Sequence, residues 1–122
     1  MRYVCLAYEE EKNLKSLSRA EWDALRSETM AYLDTLRKGG HLIATHALKS
    51  VQTATTVRVR DGSLSLTDGP FAETKEQLGG FFLIEANDLH EATRLAGKWP
   101  SARIGSIEVR PIEEELSRES RY

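Results

Sequence analysis

Apolar residues recur at two different spacings along the chain, and the spacing separates strands from helices. Residues 2–8 are apolar on both alternating faces, which predicts a central strand that is covered on each side. Apolar residues then recur at helical spacing over 19–38. Ser18, with Glu21 three residues later, is a capping-box signature. Gly39 provides the glycine that commonly follows a helix, so we predict that this helix spans 19–38.

The rest of the pattern predicts five strands and one more helix. A hairpin signal, Asp61-Gly62, separates two of these strands. The second helical stripe ends at Pro100, which cannot continue a helix, and residues 9–17 are predicted to be a polar linker. Trp22 and Trp99 fall on the two helical stripes, so both are predicted to pack in the core. The predicted strands span 41–48, 53–60, 63–67, 80–86 and 103–110.

The order of these elements is strand, helix, strand, hairpin, strand, helix, strand. Without the hairpin this is the split βαβ arrangement of a ferredoxin-like α+β fold. In strand 80–86, Phe81 and Leu83 point to one side while Phe82 and Ile84 point to the other. Two helices cover only one face of such a sheet, and the sheet of a second copy is the simplest cover for the other. We therefore expect a homodimer whose two sheets pack face to face.

Composition adds limits on the class of protein. The 122 residues fit one domain, which we assign to 1–112, followed by a charged C-terminal tail over 113–122. A net charge of −2 provides no basic surface for nucleic-acid phosphates. No segment approaches the roughly 20 apolar residues that cross a bilayer. We expect a cytoplasmic protein that binds neither nucleic acid nor membrane.

Cysteine and histidine spacing predicts no metal site. The single cysteine, Cys5, excludes an internal disulfide and lies in an apolar run, where a buried side chain is expected. His41 and His46 lie five residues apart on one strand and therefore face opposite sides. His90 has no histidine or cysteine four residues further on. Three or four convergent ligands are needed for a typical zinc site, so we predict neither a metal nor another cofactor.

Residues 68–76 combine a rigid turn with clustered charge, as the rim of a pocket requires. Asp68-Gly69-Pro70 breaks the strand ladder, and Phe71 either plugs this turn onto the core or forms an aromatic pocket wall. In the functional interpretation, Lys75 binds an anionic substrate and Glu73 acts as an acid or base. The alternative is a solvated one-turn helix with local ion pairs that contribute little.

His46 is the candidate for proton transfer, because it lies late in a strand, where strands open onto pockets. Histidine titrates near neutral pH, which suits general acid–base catalysis. Asp68 could orient His46 or act as a base itself. The alternatives are a hydrogen-bonded structural histidine and an aspartate that accepts hydrogen bonds from backbone N–H groups of its own turn.

The run DGPFAETKEQLGGFFLIEA at 68–86 resembles the signature of the DGPF-type branch of the YCII-related family. The resemblance continues at 53–58 before that run, and at 88–92 and 105–111 after it, so it covers 2–112. It implies a ferredoxin-like protomer in a dimeric α/β-barrel assembly. It also implies a largely uncharacterised bacterial family that is understood to include small-molecule enzymes, with relatives beside or fused to alternative sigma factors.

The wider family is associated with a His/Asp pair whose histidine lies early in the first helix. The predicted helix 19–38 contains no histidine, and Glu21 and Trp22 stand near that place. If an acid–base pair exists in this chain, it is therefore assembled from other residues.

Two functions from different classes follow from these patterns. The first is a cofactor-independent enzyme that acts on a small organic, anionic or enolisable molecule by proton transfer. Its catalytic groups would be His46, Asp68 and Glu73, with Lys75 and Phe71 binding the substrate. The second is a non-catalytic ligand-binding or accessory protein that serves transcription regulation beside a sigma factor. An enzyme should place convergent titratable groups in a cleft, whereas a binding module should present an apolar pocket without them.

Overall fold

The computed structural model describes residues 1–114 and 118–121, so that residues 115–117 and 122 of the predicted tail lie outside it. Three α-helices and six strands form in the described part of the chain. Two 3₁₀ turns, Val51–Thr53 and Pro100–Arg103, lie between them. None of the helices in this part is long and apolar enough to cross a membrane. The elements are β1 (Arg2–Glu9), α1 (Glu11–Lys15), α2 (Arg19–Lys38), β2 (Leu42–Ala47), β3 (Thr55–Arg60), β4 (Ser63–Asp68), β5 (Gln77–Glu85), α3 (Leu89–Ala96) and β6 (Ser106–Pro111).

The main sheet has the strand order β2-β5-β1-β6, and every neighbouring pair is antiparallel. β1 and β2 are therefore parallel to each other, with β5 between them and α2 in the connection. This is the split βαβ unit, and the predicted ferredoxin-like α+β fold is confirmed. β3 and β4 form a separate two-stranded ribbon, which is the inserted hairpin. Asp61 and Gly62 both have positive φ at its tip, as a type I′ turn requires.

The core lies between the helices and one face of the sheet. Tyr3 and Cys5 of β1 lie opposite Ile84 and Phe82 of β5, and all four are buried. The Trp99 ring stacks on Phe82 with ring centroids 4.1 Å apart, so its predicted place in the core is confirmed. The helices contribute Leu33, Leu36, Ala92, Leu95 and Ala96.

The opposite face of the sheet, which we call the open face, is also apolar. Leu6 lies opposite Phe81, and Val4 lies opposite Leu83, in the alternate register to the buried set. These four side chains are half-buried rather than buried. The predicted division of β5 into two apolar sides is therefore confirmed, and one of those sides remains partly in contact with solvent.

Two predictions of secondary structure were wrong. The segment predicted as a polar linker contains α1, which is held by contacts from distant residues: Gln77 Oε1 accepts a hydrogen bond from the Glu11 N–H at 3.0 Å. α3 ends at Ala96 rather than at Pro100, because Gly97 forms its C-cap. Trp99 then adopts an extended conformation that places its ring on Phe82.

Two further boundaries differ by three residues. β5 begins at Gln77 instead of residue 80, and β6 begins at Ser106 instead of residue 103. The four residues of the Pro100–Arg103 turn take the place of the start predicted for β6. α2 spans 19–38 as predicted, with Ser18 accepting a hydrogen bond from the Glu21 N–H and Glu21 accepting one from the Ser18 N–H.

Candidate functional site

A cavity of about 260 Å³ lies between α2 and the sheet, and we call it the α2 cavity. A hollow of about 600 Å³ adjoins it, beside α1 and the start of α2. The two spaces share five bordering residues: Glu9, Leu14, Trp22, Ala47 and Gly79. The walls of the α2 cavity are mostly apolar and include Ala7, Leu25, Met30, Leu33 and Trp99. Such a cavity, with few polar groups, is typical of small-molecule sites.

Glu9 is the acidic residue of the α2 cavity. It follows Tyr3, Cys5 and Ala7 on the helix-facing side of β1, at the point where the strand reaches the cavity. Its Oε2 atom is buried and finds no hydrogen-bond partner in the part of the chain that the structure describes. Burial raises the pKa of the Glu9 carboxyl, and the nearby carboxylates of Glu76 and Glu11 raise it further.

Two glycines make room for this carboxyl. A β-carbon at Gly79 would overlap Oε1 of Glu9, and one at Gly105 would overlap the Tyr8 carbonyl oxygen and approach the Glu9 β-carbon at 3.1 Å. The register of β1 against β5 shifts at this point: Ala7 pairs with Gly80 while Tyr8 pairs with Leu78. Gly79 is the extra residue of a β-bulge, a feature that often re-aims a side chain at a functional site.

Glu11 forms part of the wall of the hollow and has a structural role. Its two carboxylate oxygens accept hydrogen bonds from the Ser50 hydroxyl and the Val51 N–H, each at 2.8 Å. These two hydrogen bonds lower the pKa of the Glu11 carboxyl, so it stays ionised. It ties α1 to the connection after β2, and this fixes one side of the hollow. The two neighbouring carboxyls therefore differ: that of Glu11 accepts hydrogen bonds on both oxygens, whereas the Oε2 atom of Glu9 accepts none from the described residues.

The structure places His46 and Asp68 in different sheets. His46 borders the α2 cavity. Its ring, however, contacts the ring of Phe81, with centroids 5.7 Å apart. The two residues are paired across β2 and β5, so both side chains project from the open face. Asp68 ends β4 opposite Thr55 in the ribbon and is exposed. Over residues 1–114 and 118–121, no hydrogen bond joins the two side chains. Their pairing stays a prediction.

Unlike His46, the other predicted site residues lie outside both spaces. Phe71 is 79% exposed, so in the isolated protomer it does not plug its turn onto the core. Glu73 is exposed, and Lys75 Nζ lies 3.7 Å from Glu10 Oε1. The segment is irregular, so the one-turn helix of the alternative interpretation is wrong. Neither the α2 cavity nor the hollow is bordered by these three residues or by Asp68.

Trp22 was predicted to pack in the core, and this was wrong. Its side chain is 39% exposed, because the first half of α2 lies over the cavity instead of directly on the sheet. Glu9 was not among the predicted site residues either. Its signal was present in the sequence: Tyr3, Cys5 and Ala7 alternate along one strand face, and the next position on that face is a carboxyl.

No metal site is formed by the described residues: they include no group of three carboxylate, imidazole or thiol side chains placed as metal ligands would be. The chemistry that the site can perform with its own groups is proton transfer by a desolvated carboxyl. The apolar walls would favour an organic molecule over a strongly hydrated one.

Comparisons with known proteins agree with this fold. Residues 1–115 match the YCII-related domain. The chain is 36% identical over 114 residues to the uncharacterized protein R00369 of Rhizobium meliloti (strain 1021), with 92% of each protein covered. The fold is also similar to that of 5-chloro-2-hydroxyhydroquinone dehydrochlorinase (TftG) from Burkholderia phenoliruptrix AC1100, solved in complex with 2,5-dihydroxybenzoquinone. That similarity has a TM-score of 0.56 at 14% identity and covers 94% of this chain and 96% of that one, so it concerns the fold alone.

Proposed function

The chain belongs to the YCII-related domain family, and from that premise we propose that it is a small-molecule enzyme that transfers a proton with the Glu9 carboxyl. One observation carries the proposal: Oε2 of Glu9 is buried at the α2 cavity and has no hydrogen-bond partner in the described chain. A buried unpaired carboxyl costs folding free energy, and such costs are typical of functional sites. The glycine at position 79 preserves this arrangement.

The proposed step needs only the carboxyl and a substrate with an acidic C–H or O–H bond. Ionised Glu9 accepts the proton, and the electron pair of the broken bond stays on the substrate as an enolate or phenolate. The protonated carboxyl then returns the proton at another atom, which isomerises the substrate, or releases it to water after a leaving group has departed with its electron pair. A raised pKa makes the carboxylate a stronger base than an exposed one.

TftG supports this class of reaction because it is a dehydrochlorinase. A dehydrochlorinase removes a proton and a chloride from its substrate, so it must move a proton from a small ring compound. Proton transfer on an organic ring is the part of that chemistry that Glu9 could perform here. The substrate itself is not carried over, because the two chains are only 14% identical.

A homodimer is the second part of the proposal. The open face of the sheet carries Phe81 and Leu83, which the protomer leaves half-exposed. One face of the ribbon carries four more apolar side chains, which are 58–65% exposed: Val57, Val59, Leu64 and Leu66. Isolated two-stranded ribbons are marginally stable in water, and a two-fold symmetric contact lets the same apolar patch cover itself. A second copy of the chain is therefore the proposed cover.

In such a dimer, the site residues predicted from the sequence would lie close to the partner protomer. His46 lies beside Phe81 on the open face, so the partner's sheet would lie over it. Asp68, Glu73, Lys75 and Phe71 are exposed in the single protomer and would need the partner to form a cleft. We keep His46 and Asp68 as a second proposed acid–base pair, which the same experiment separates from Glu9.

The test is hydrogen exchange at carbon in D₂O, because it detects proton transfer before any product is known. A panel of enolisable and hydroxylated six-membered ring compounds, including 5-chloro-2-hydroxyhydroquinone, is incubated with the protein and followed by NMR and mass spectrometry. Glu9→Gln should slow the exchange at least about 100-fold. Glu113→Gln, an exposed carboxyl away from both spaces, is the matched control. Exchange that survives in Glu9→Gln but is lost in His46→Ala would transfer the role to His46.

The apolar walls favour a second candidate function, a non-catalytic ligand-binding protein. In that case a panel member would bind in the α2 cavity, yet no variant or pH would give exchange above the rate without protein. An accessory role beside a sigma factor is supported by the family resemblance alone, and a pull-down with a genomically adjacent sigma factor would test it.

A further inference from the structure

We infer that the α2 cavity accepts a monocyclic organic anion and that Arg26 pairs with its anionic group. This inference rests on the proposed function and adds the class of substrate to it. Arg26 borders the cavity from α2, one helical turn after Trp22, so the two residues lie on the same side of the helix. A cation beside a mostly apolar cavity can orient an anionic ligand.

Among the described residues, the charged groups that border the two spaces interact with other charged or polar groups, with the exceptions of Glu9 and Arg26. Arg19 pairs with Asp23 at 3.3 Å. Glu11 is held by Ser50 and Val51, and the charge of Lys15 acts on the same carboxyl. Arg26 is exposed at the edge of the cavity, and in the described part of the chain it forms no ion pair or side-chain hydrogen bond. Its guanidinium is therefore free to pair with the anionic group of a ligand in the cavity.

The size of the cavity and its aromatic walls indicate the size and shape of the rest of the ligand. The α2 cavity, with a volume of about 260 Å³, has room for one substituted six-membered ring. The rings of Trp22 and Trp99 border the space from α2 and from the segment after α3. Flat aromatic walls favour a flat ring, because offset stacking adds to the apolar contact.

Glu9 and Arg26 would then contact different parts of the ligand. The anionic group would lie at Arg26, and the apolar ring would lie along Trp22 and Trp99, with the proton-losing atom toward Glu9. The arrangement also limits which anions enter. Burial, and then the nearby carboxylates of Glu76 and Glu11, raise the pKa of Glu9, so a second negative charge placed at Glu9 would be both desolvated and repelled. A ring with one anionic group at one end satisfies both residues.

The probe pair is salicylate and 2-hydroxybenzyl alcohol, which share a hydroxylated ring and differ in the charge of the second substituent. Binding is measured by isothermal titration calorimetry and saturation-transfer NMR at neutral pH. We expect salicylate to bind at least about tenfold more tightly than the alcohol. Arg26→Gln should remove that advantage and leave alcohol binding within about twofold. Added salt should weaken only salicylate.

Arg58→Gln, on the exposed ribbon, is the matched arginine control and should change neither affinity. Circular dichroism establishes that each variant is folded. The inference is overturned if salicylate and the alcohol bind equally, if Arg26→Gln leaves salicylate unaffected, or if salicylate does not bind. Because the binding measurement needs no turnover, it is repeated in Glu9→Gln. If salicylate still binds that variant, and the wild type shows no exchange activity, the catalytic proposal is rejected and the anion site is upheld.

Discussion

The backbone of Gly79 lies directly against the carboxylate of Glu9, so closely that any β-carbon at position 79 would overlap Oε1. The contact joins the end of β1 to the bulge in β5, across the two central strands of the sheet. It explains the glycine without reference to turns, because Gly79 has no positive φ. The glycine is present to leave space for a carboxyl.

Gly79→Ala should therefore displace Glu9 and reduce proton transfer. We expect the exchange rate in D₂O to fall at least about tenfold, because small misplacements of a catalytic group are costly. The unfolding free energy should change little, because the atoms that the new methyl group meets are the end of a flexible side chain that can move away. Gly97→Ala is the control, because a β-carbon there meets nothing closer than 3.4 Å. Equal exchange rates in the two variants would show that Glu9 does not need its observed position.

Glu9→Gln should stabilise the protein at neutral pH while it abolishes exchange. The folded state raises the pKa of Glu9 above the ordinary 4.5, so the folded protein binds this proton more tightly than the unfolded chain does. Below about pH 4.5 the carboxyl is protonated in both states and imposes no penalty. As pH rises through the raised pKa, the penalty grows and then levels off. Urea titrations across pH should show the Gln variant to be more stable than the wild type near neutrality and equally stable at low pH.

In the same titrations, Glu21→Gln should change stability in the opposite direction to Glu9→Gln. Hydrogen bonds from Ser18 lower the pKa of Glu21, so its ionised form stabilises the helix start above the ordinary pKa and loses that effect as pH falls. Removing this charge should destabilise the protein at neutral pH only. If both variants shifted stability in the same direction, the environment assigned to Glu9 would be wrong.

Local signals account for the parts of the fold that the sequence predicts well. α2 begins and ends at the predicted residues because its capping box and the glycines after it act within a few positions. The ribbon follows from Asp61-Gly62 for the same reason. The ferredoxin-like order follows from the sequence of elements, since few topologies connect them without crossings.

The candidate site is harder to predict because it depends on contacts between distant segments. α1 has no side-chain cap of its own, and Gln77, Ser50 and Val51 hold it through Glu11. Glu9 is a site residue only because Gly79 and the cavity beneath α2 leave its Oε2 atom buried and without a hydrogen-bond partner among the described residues. Conversely, the turn at 68–71 has clear local chemistry, but its position relative to the cavity is set by tertiary structure.

Cys5 should be inert toward thiol reagents in the folded protein. Its side chain is fully buried, and burial raises the pKa of the thiol to about 12, so almost no thiolate exists at pH 8. Labelling with iodoacetamide, followed by mass spectrometry, should be slow in buffer and fast in denaturing urea. Rapid labelling of the folded state would show that the sheet and helices open at Cys5 more readily than the packing indicates.

The apolar surfaces outside the core predict how the protein assembles. Leu83→Lys on the open face and Leu66→Lys on the ribbon each place a charge where the proposed dimer would bury apolar area. We expect both variants to shift a dimer toward monomer in analytical ultracentrifugation at micromolar concentration. Leu89→Lys is the control, because Leu89 at the start of α3 is 51% exposed and belongs to neither the open face nor the ribbon. A wild-type protein that sediments as a monomer, or variants that dimerise like Leu89→Lys, would show that these surfaces meet something other than a second copy of the chain.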